Sequence, residues 1–450
     1  MNHKSFKILS NKKIGKFNKQ INVESDKSLS IRSFLFGAIS ENISVVENVL
    51  ESEDVFSTIK CLRKLGVKII KKNKKFLVFG KGLGSLRAKK NTILDFGNSG
   101  TLARLLIGIL STNPNIELKL TGDKSLNKRS MKKLIDQMER FGAEFLPKKK
   151  FTFPLKILSS ELPIGINFIS NESAQIKSAV ILAGLNSFGS TQILEKQKSR
   201  DHTENILLEN PKCIKLLKNN NNLITIFGKK QLDPINLKIP GDPSSAAFFV
   251  ALCILTNKSN LIIKDVQLNP TRTGFFEIIK KHGAKINFLN KRKRNNEIIG
   301  DIKVLSSKLK KFNVNKKYYV SATDEYPIMF VLAALTNGIS IFKGISELKN
   351  KESDRIKEMQ KILKQIGVKS IFKGSDLKIF GKTNFNKSNK SIIKVSSILD
   401  HRICMSALIL SQVSGIRSSI DNFETVRTSS PNFLRILKQL GGKFEIKKKS

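Results

Sequence analysis

Several basic and hydroxyl side chains in this chain are spaced so that they could bind small anions together. Lys27 and Ser28 stand in a polar helix cap, and Arg32 follows about one helical turn later, so one ligand could reach all three. Lys351 and Arg355 are four residues apart, which places them on one face of a helix. Arginine and lysine are the side chains best suited to phosphate and carboxylate groups. Taken alone, the first set is also typical of a solvated helix cap and the second of a solvated helix face. The elements that position these residues decide whether they bind a ligand or only face solvent.

Those elements repeat along the chain. A polar or glycine-containing cap followed by a run of Ala, Leu, Ile, Phe and Ser occurs six times, about 70–80 residues apart. The six phrases are DKSLSIRSFLFGAIS at Asp26, GNSGTLARLLIGILS at Gly97, SAQIKSAVILAGLNS at Ser173, GDPSSAAFFVALCIL at Gly241, DEYPIMFVLAALTNG at Asp324 and DHRICMSALILSQVS at Asp400. Each predicts a helix that is apolar on most faces and therefore buried. Caps of this kind leave backbone N–H groups at the helix entry, where anions bind, so six such starts facing one cleft would form a positive funnel.

A second, amphipathic helix is predicted 30–40 residues after most of these starts, ending in a glycine that can adopt the left-handed cap. The glycines are Gly66, Gly142, Gly283, Gly367 and Gly441. The third unit lacks a clear version. Short apolar runs such as FLVFG, LITIFG, NLIIKDV and LKIFG predict strands between the helices. The repeat is therefore mixed α/β, and six copies fit two lobes of three units each, with the break near Pro240.

Composition limits the functional classes. The 450 residues are 40% apolar and 26% charged, which is enough to bury a sizeable core in two or three domains. Lys and Arg outnumber Asp and Glu by 81 to 36, and the net charge of +45 raises the hypothesis of nucleic-acid or membrane binding. The excess is spread along the whole chain and accompanies abundant Ile and Asn. Compositional drift toward AT-rich codons explains this pattern better than a polyanion site, so we expect no nucleic-acid partner.

Cysteine usage and hydropathy indicate a reducing, aqueous environment. The cysteines are far apart, with no C-x-x-C pair, and they favour buried thiols over a zinc or redox site; they are Cys61, Cys213, Cys253 and Cys404. The longest apolar stretches, such as 246–255, are about ten residues, too short to span a bilayer. Residues 1–20 are basic but have no apolar core typical of a secretory signal. We therefore expect a cytoplasmic protein with no membrane partner.

Nine phrases in order resemble those of the 3-phosphoshikimate 1-carboxyvinyltransferase (5-enolpyruvylshikimate-3-phosphate synthase) family, over nearly the whole chain. They are Asp26–Arg32, Gly97–Arg104, Gly122–Arg129, Ser173–Gly184, Ser199–Glu204, Gly241–Ala247, Asp324–Pro327, Lys351–Arg355 and Asp400–Met405. The resemblance implies two inside-out α/β barrel-like lobes, each of three pseudo-repeats. We expect one lobe to comprise residues 1–21 and 241–450 and the other residues 22–240, with the active site in the cleft between them.

The resemblance also implies the reaction: transfer of the enolpyruvyl group of phosphoenolpyruvate to the 5-hydroxyl of 3-phosphoshikimate, with release of phosphate, in chorismate and aromatic amino acid biosynthesis. It requires no metal or organic cofactor, and we expect a monomer. Asp324 is implied as the catalytic base, with Lys27 and Glu352 as proton-handling groups. The implied 3-phosphoshikimate ligands are Lys27, Ser28, Arg32, Ser173, Ala174, Gln175, Arg200, Asp324 and Lys351. The implied phosphoenolpyruvate ligands are Lys27, Gly100, Arg129, Gln175, Arg355 and Arg402.

Some positions depart from the family pattern or have a second interpretation. Ser130 stands where the pattern has proline, and Arg427 does not clearly replace a lysine that some members carry before the last helix. His202 could be a catalytic base, although a structural histidine is the favoured interpretation. The small residue Gly100 leaves room for a phosphonate analogue such as glyphosate.

Two other functions remain open at this point. The sister transferase that acts on UDP-N-acetylglucosamine shares the implied fold but generally uses a loop cysteine, and none of the four cysteines lies in a comparable loop. A basic RNA-binding protein built on the same repeat is disfavoured because aromatic-rich strips are missing and the charge is scattered.

Overall fold

The computed structural model describes residues 5–89, 91–171, 173–218, 222–383, 391–396 and 398–448. The α-helices are α1 (Lys27–Ile39), α2 (Glu53–Lys64), α3 (Gly100–Thr112), α4 (Lys132–Arg140), α5 (Ala174–Leu185), α6 (His202–Leu207), α7 (Pro243–Leu255), α8 (Gly274–Lys281), α9 (Tyr319–Ala322), α10 (Tyr326–Ala334), α11 (Arg355–Gln365), α12 (His401–Ser414) and α13 (Phe433–Gln439). Short 3-10 helices cover Leu126–Lys128, Pro211–Cys213, Lys316–Tyr318, Ser346–Asn350 and Phe423–Thr428.

The β-strands are β1 (Phe6–Ser10), β2 (Asn18–Asn22), β3 (Ile43–Glu47), β4 (Lys68–Lys72), β5 (Lys75–Phe79), β6 (Ile93–Asp95), β7 (Glu117–Thr121), β8 (Glu144–Leu146), β9 (Leu155–Leu158), β10 (Asn167–Ser170), β11 (Ser190–Glu195), β12 (Ile214–Lys218), β13 (Asn222–Phe227), β14 (Asn236–Lys238), β15 (Asn260–Gln267), β16 (Lys285–Arg294), β17 (Glu297–Leu305), β18 (Asn313–Val314), β19 (Gly338–Phe342), β20 (Ser370–Lys373), β21 (Asp376–Gly381), β22 (Ile392–Val395), β23 (Arg417–Ile420) and β24 (Glu445–Lys448).

The chain divides into two compact units. The first unit comprises residues 1–24, 241–292 and 298–450, and the second comprises 25–240 and 293–297. Relative to the division expected from the sequence, residues 22–24 group with the first unit and 293–297 with the second. Each unit has its own apolar core.

The described strands form six four-stranded sheets, three in each unit, and the sheets share one pairing pattern. In each sheet an edge pair is parallel and the central pair is antiparallel. The second unit has the orders β14-β3-β5-β4, β6-β7-β9-β8 and β10-β11-β13-β12, and the first has β22-β23-β1-β24, β16-β17-β15-β2 and β18-β19-β21-β20. This common topology confirms the sixfold repeat predicted from the sequence.

The six predicted apolar helices are α1, α3, α5, α7, α10 and α12, and they are buried on nearly all sides. A helix that is apolar all round is stable only inside a protein, which is why the sheets lie outside them. The caps mostly agree with the prediction: Asp26, Asp242 and Asp400 each accept a backbone N–H through the side chain. α10 begins two residues after Asp324, which leaves that carboxylate available for other contacts.

The second helices end at the predicted glycines, all of which have positive φ, between 70° and 101°. In the third unit this helix is α6, which has only six residues. It ends without a glycine, which is why the sequence pattern was unclear there.

In three of the sheets, a Phe-Gly-Lys triplet packs against the end of a buried helix. The triplets begin at Phe79, Phe227 and Phe380. A Cβ on Gly80 would lie 2.0 Å from the carbonyl oxygen of Ser40, and one on Gly381 would lie 2.0 Å from that of Thr336. The backbone N–H groups of the triplet lysines Lys81, Lys229 and Lys382 donate to carbonyls in the last turn of α1, α5 and α10. Glycine is therefore required at this position by close packing against the carbonyls that the helix end leaves open.

Candidate functional site

Lys27, Ser28 and Arg32 lie in the first two turns of α1, in the second unit. Arg32 is buried, and its guanidinium is held from two directions: Nε donates to Thr203 Oγ1 at 2.9 Å and Nη2 donates to Ser178 Oγ at 3.0 Å. Its Nη1 donates to the carbonyl of Ser28 at 3.2 Å. Arg32 is thus a fixed, water-excluded cation and not part of a solvated cap.

Lys27 is also fixed, but less deeply. Its Nζ lies 3.1 Å from Asp54 Oδ2, and its side chain is 19% exposed while that of Asp54 is 6% exposed. The amine therefore remains accessible to a ligand or a proton while a buried carboxylate holds it in place.

The start of α3 brings two guanidinium groups to one point. A Cβ on Gly100 would lie 2.7 Å from Arg104 Nη1 and 3.0 Å from Arg129 Nη1. Two like charges this close are favourable when an anion is bound between or beside them. Arg129 was predicted from the sequence. Arg104 was missed, although its i+4 spacing from Gly100 in the phrase GNSGTLAR was a usable signal.

The start of α5 is joined to the start of α3. Gln175 Oε1 accepts a hydrogen bond from Arg104 Nη1 at 2.9 Å, and its Nε2 donates to Thr101 Oγ1 at 2.9 Å. Ser173 is the N-cap residue, and its Oγ accepts the N–H of Ile176 at 3.5 Å. Ala174 and Arg200 are partly exposed. Gly100 of α3 and Gln175 of α5 are therefore joined through Arg104 in one hydrogen-bonded group.

In the first unit, Arg355 is the centre of a group of three carboxylates. Its Nε donates to Asp400 Oδ2 at 3.0 Å, its Nη2 to Glu352 Oε2 at 2.7 Å, and its Nη1 to Asp324 Oδ1 at 3.5 Å. Burial disfavours the charge of Arg355, but Asp400, Glu352 and Asp324 outweigh it and raise the pKa of the guanidinium. Arg355 therefore stays charged and organises the predicted base and the predicted acid.

Arg402 lies in the first turn of α12, and its backbone N–H donates to the capping carboxylate of Asp400 at 3.0 Å. Its side chain is buried, with the guanidinium carbon 5.9 Å from the ring centroid of Phe248. Within the described ranges, its Nε has no hydrogen-bond partner. A buried cation with an unsatisfied donor is costly unless an anion binds it, so Arg402 has the properties of an anion ligand.

Three more positions were considered from the sequence, of which only Lys351 was assigned to a substrate. Lys351 lies between the 3-10 helix Ser346–Asn350 and the start of α11 at Arg355, so the predicted helix face shared by Lys351 and Arg355 is wrong. Lys351 is partly exposed, with Nζ 5.9 Å from the ring centroid of Tyr319. Arg427 is exposed, and its guanidinium carbon lies 5.5 Å from the ring centroid of Phe6. His202 is buried and its Nδ1 donates to Glu297 Oε1 at 2.9 Å, in agreement with a structural histidine.

The cysteines are free thiols in buried positions, as predicted. Across the described ranges, no group of three or more His, Cys, Asp or Glu side chains is placed to hold a metal ion. No helix among these residues has the length and apolar character needed to cross a membrane.

The model of the EPSP synthase (3-phosphoshikimate 1-carboxyvinyltransferase) family matches residues 11–437. The chain belongs to this family. The 3-phosphoshikimate 1-carboxyvinyltransferase of Zymomonas mobilis is 37% identical over 431 residues, which is 95% of each chain. That of Caldicellulosiruptor bescii is 40% identical over 425 residues, 94% of this chain and 96% of the relative. Membership of the EPSP synthase family confirms the resemblance and decides against the two other hypotheses for the main activity.

Solved structures agree with this assignment. The structure of EPSP synthase from Acinetobacter baumannii superposes with a TM-score of 0.82 at 34% identity, covering 99% of this chain and 100% of that one. The enolpyruvyl transferase NikO from Streptomyces tendae has a TM-score of 0.74 at 12% identity and covers 99% of this chain, so it shows the fold alone. The two-lobe enolpyruvyl transferase fold is therefore confirmed.

Proposed function

We propose that this chain transfers the enolpyruvyl group of phosphoenolpyruvate to the 5-hydroxyl of 3-phosphoshikimate and releases inorganic phosphate, as a step of aromatic amino acid biosynthesis. The activity named for its relatives and the arrangement of its own charged groups support this. The substrates carry two phosphates and two carboxylates, and the cations described above are suited to such ligands.

The reaction is an addition followed by an elimination. A proton is added to the methylene carbon of phosphoenolpyruvate, the oxygen of the 5-hydroxyl bonds to the second carbon, and the hydroxyl proton passes to a base. In the second step the bond between that carbon and the phosphate oxygen breaks, the methyl group loses a proton, and phosphate leaves. The overall exchange needs a base for the hydroxyl and an acid for the methylene carbon.

The observation that carries the proposal is the environment of Asp324 and Glu352. Both carboxylates contact the Arg355 guanidinium, and their side chains are 23% and 19% exposed, whereas Asp400, the third partner, is fully buried. Two carboxylates on one cation, both reachable by a substrate, suit the roles of base and acid. We assign Asp324 as the base that accepts the hydroxyl proton, and Glu352 with Lys27 as the groups that move the proton at the methylene carbon.

The binding roles follow from the cations and helix starts. We assign Lys27, Gly100, Arg129, Gln175, Arg355 and Arg402 to phosphoenolpyruvate. For 3-phosphoshikimate we assign Lys27, Ser28, Arg32, Ser173, Ala174, Gln175, Arg200, Asp324 and Lys351. Each nitrogen of the Arg355 guanidinium contacts a carboxylate, so part of its contribution is to hold Asp324 and Glu352. The Nε of the buried Arg402 has no partner in the described ranges. The location of the active site in a cleft between the lobes stays a prediction.

Phosphate release by the purified protein tests the proposal directly. Release that requires both phosphoenolpyruvate and 3-phosphoshikimate, and that is lost in Asp324→Ala, is the expected result. UDP-N-acetylglucosamine serves as the control acceptor. No release with either acceptor from a folded protein would overturn the proposal. We further propose a cytoplasmic monomer, for which light scattering in solution should give a mass of 50.5 kDa.

A further inference from the structure

Lys177 is a completely buried lysine within the phrase Ser173–Gly184, and the proposed reaction gives it no role. Its side chain has no exposed surface, and its Nζ lies 2.7 Å from Glu195 Oε1 and 2.5 Å from Glu204 Oε1. Both glutamates are themselves at most 4% exposed. Three ionisable side chains in the interior of the second unit are costly to desolvate, so their presence calls for a physical reason.

The two glutamates keep Lys177 charged, whereas burial disfavours the charge of Glu204. Burial lowers the pKa of Lys177, but Glu204 and Glu195 outweigh this effect and raise it, so the lysine stays protonated. Burial raises the pKa of Glu204 despite Lys177. In the described part of the chain, Glu204 Oε2 has no hydrogen-bond partner. The triad is therefore not optimised for stability alone, since apolar residues of similar size would commonly be as stable or more stable.

The triad connects two segments that carry proposed 3-phosphoshikimate ligands, the start of α5 and the segment of Arg200. Glu195 Oε1 also accepts hydrogen bonds from the N–H of Ser199 at 2.8 Å and from its hydroxyl at 2.7 Å. Ser199 directly precedes Arg200. Lys177 lies in α5 two residues after Gln175, so one ion contact joins the start of that helix to the Arg200 segment.

A hydrogen bond between α5 and α6 lies next to the ion contact of Lys177 and Glu204. Ser178 and Thr203, the neighbours of Lys177 and Glu204, are joined by a hydrogen bond of 2.8 Å, and both hydroxyls accept from Arg32. The α5–α6 contact therefore also sets the position of Arg32. A chain of charge-assisted hydrogen bonds of this kind fixes geometry more rigidly than apolar packing does.

We propose that Lys177, with Glu195 and Glu204, is a positioning residue for the binding of 3-phosphoshikimate. It holds Ser173, Ala174, Arg32 and Arg200 in place, four residues that are assigned above to 3-phosphoshikimate and not to phosphoenolpyruvate. The inference rests on the proposed function, because the ligand is the acceptor substrate of that reaction. Displacement of such ligands by a fraction of an ångström weakens binding of one substrate without removing any group that reacts.

Steady-state kinetics of Lys177→Met and Glu195→Gln test the inference. In Lys177→Met we expect the KM for 3-phosphoshikimate to rise about tenfold, which corresponds to about 1.4 kcal/mol. The KM for phosphoenolpyruvate and the kcat at saturating 3-phosphoshikimate should stay within about twofold. In Glu195→Gln the same oxygen still accepts hydrogen bonds but without its charge, so a smaller rise of about threefold in the same KM is expected. Glu195→Gln keeps the side-chain shape and carries the test if Lys177→Met does not fold.

Asn186→Ala is the matched control. Asn186 is a buried polar residue at the other end of the same helix, where its Nδ2 donates to the carbonyl of Thr112. The Asn186→Ala change should lower the melting temperature without changing the KM for 3-phosphoshikimate. An unchanged KM for 3-phosphoshikimate in folded triad variants, or an equal rise in both KM values, would overturn the inference. If the wild-type protein itself releases no phosphate, the proposed function fails instead, so the two failures are distinguishable.

Discussion

Arg355 Nε donates a hydrogen bond to Asp400 Oδ2 at 3.0 Å, and both side chains are almost completely buried. The same carboxylate accepts the backbone N–H of Arg402 and the hydroxyl of Ser353. Asp400 therefore serves as a helix cap and as the counter-ion of the residue that organises Asp324 and Glu352. One buried carboxylate thus couples the start of α12 to the proposed base and acid.

Replacing Asp400 should separate these two roles. Asn caps a helix as well as Asp does, so Asp400→Asn removes mainly the ion contact and should lower the free energy of unfolding by about 3 kcal/mol. Asp400→Ala removes the cap as well and should cost about 1 kcal/mol more. Chemical denaturation measures both. An Asp400→Asn protein as stable as the wild type would show that Arg355 does not depend on this carboxylate.

The proposed base should affect turnover far more than folding. Asp324→Asn should lower kcat by about 10²–10⁴-fold, the range for loss of a general base. Its contact with Arg355 is long, at 3.5 Å, so stability should change little. Phosphate release and thermal denaturation on the same preparation give the two readings. Glu347→Gln, an exposed carboxylate change in the same unit, should retain full activity; comparable loss in both variants would contradict the assignment.

A methyl group at Gly100 should disturb anion binding. The added Cβ would displace the ends of Arg104 and Arg129, both of which are flexible side chains, at a cost of about 1 kcal/mol. We expect Gly100→Ala to raise the KM for phosphoenolpyruvate about fivefold and to weaken inhibition by glyphosate. Initial rates at varied phosphoenolpyruvate, with and without glyphosate, measure these effects. Unchanged inhibition would mean that neither guanidinium lies against the bound phosphonate.

The four thiols should be inert in the folded protein. Burial raises the pKa of Cys61 and of Cys253 to about 12, and it also raises the pKa values of Cys213 and Cys404. An aromatic disulfide reagent at pH 8 should label none of them until guanidinium unfolds the chain. The unfolded thiols lose their protons near pH 9, below the native values, so their contribution to stability is complete below that pH and declines as the pH rises. Rapid labelling with loss of activity would revive the cysteine-dependent mechanism of the sister transferase.

The Phe-Gly-Lys triplets should not tolerate a side chain on glycine. A Cβ on Gly381 would lie 2.0 Å from the carbonyl oxygen of Thr336 and 2.1 Å from that of Ala333, and neither can move without distorting the end of α10 or the residues that follow it. We expect Gly381→Ala to lower the free energy of unfolding by about 3 kcal/mol. Gly15→Ala, in the same unit, places its Cβ in open space and should be neutral or slightly stabilising. Equal stability of the two variants in urea denaturation would contradict the packing argument.

Local rules predicted much of this molecule because they act over a few residues. The apolar helices and their caps follow from the polarity of neighbouring side chains. The ends of the second helices follow from glycines such as Gly66 and Gly142, which can adopt the left-handed conformation. The third unit was unclear because α6 is short and lacks a terminal glycine. Arg104 was missed because its role depends on Gln175, which lies 71 residues away in the sequence.

By itself, the sequence determined the sixfold α/β repeat, the family and the identity of the residues assigned to the reaction. These depend on periodicity and on the order of motifs, which the order of residues contains. Only the tertiary structure decided which of these cations are neutralised and which are available. Arg355 is enclosed by carboxylates, whereas the Nε of the buried Arg402 has no partner in the described ranges. The physical reason is that the charge a ligand meets depends on burial and on partners tens of residues away, and spacing along the chain carries neither.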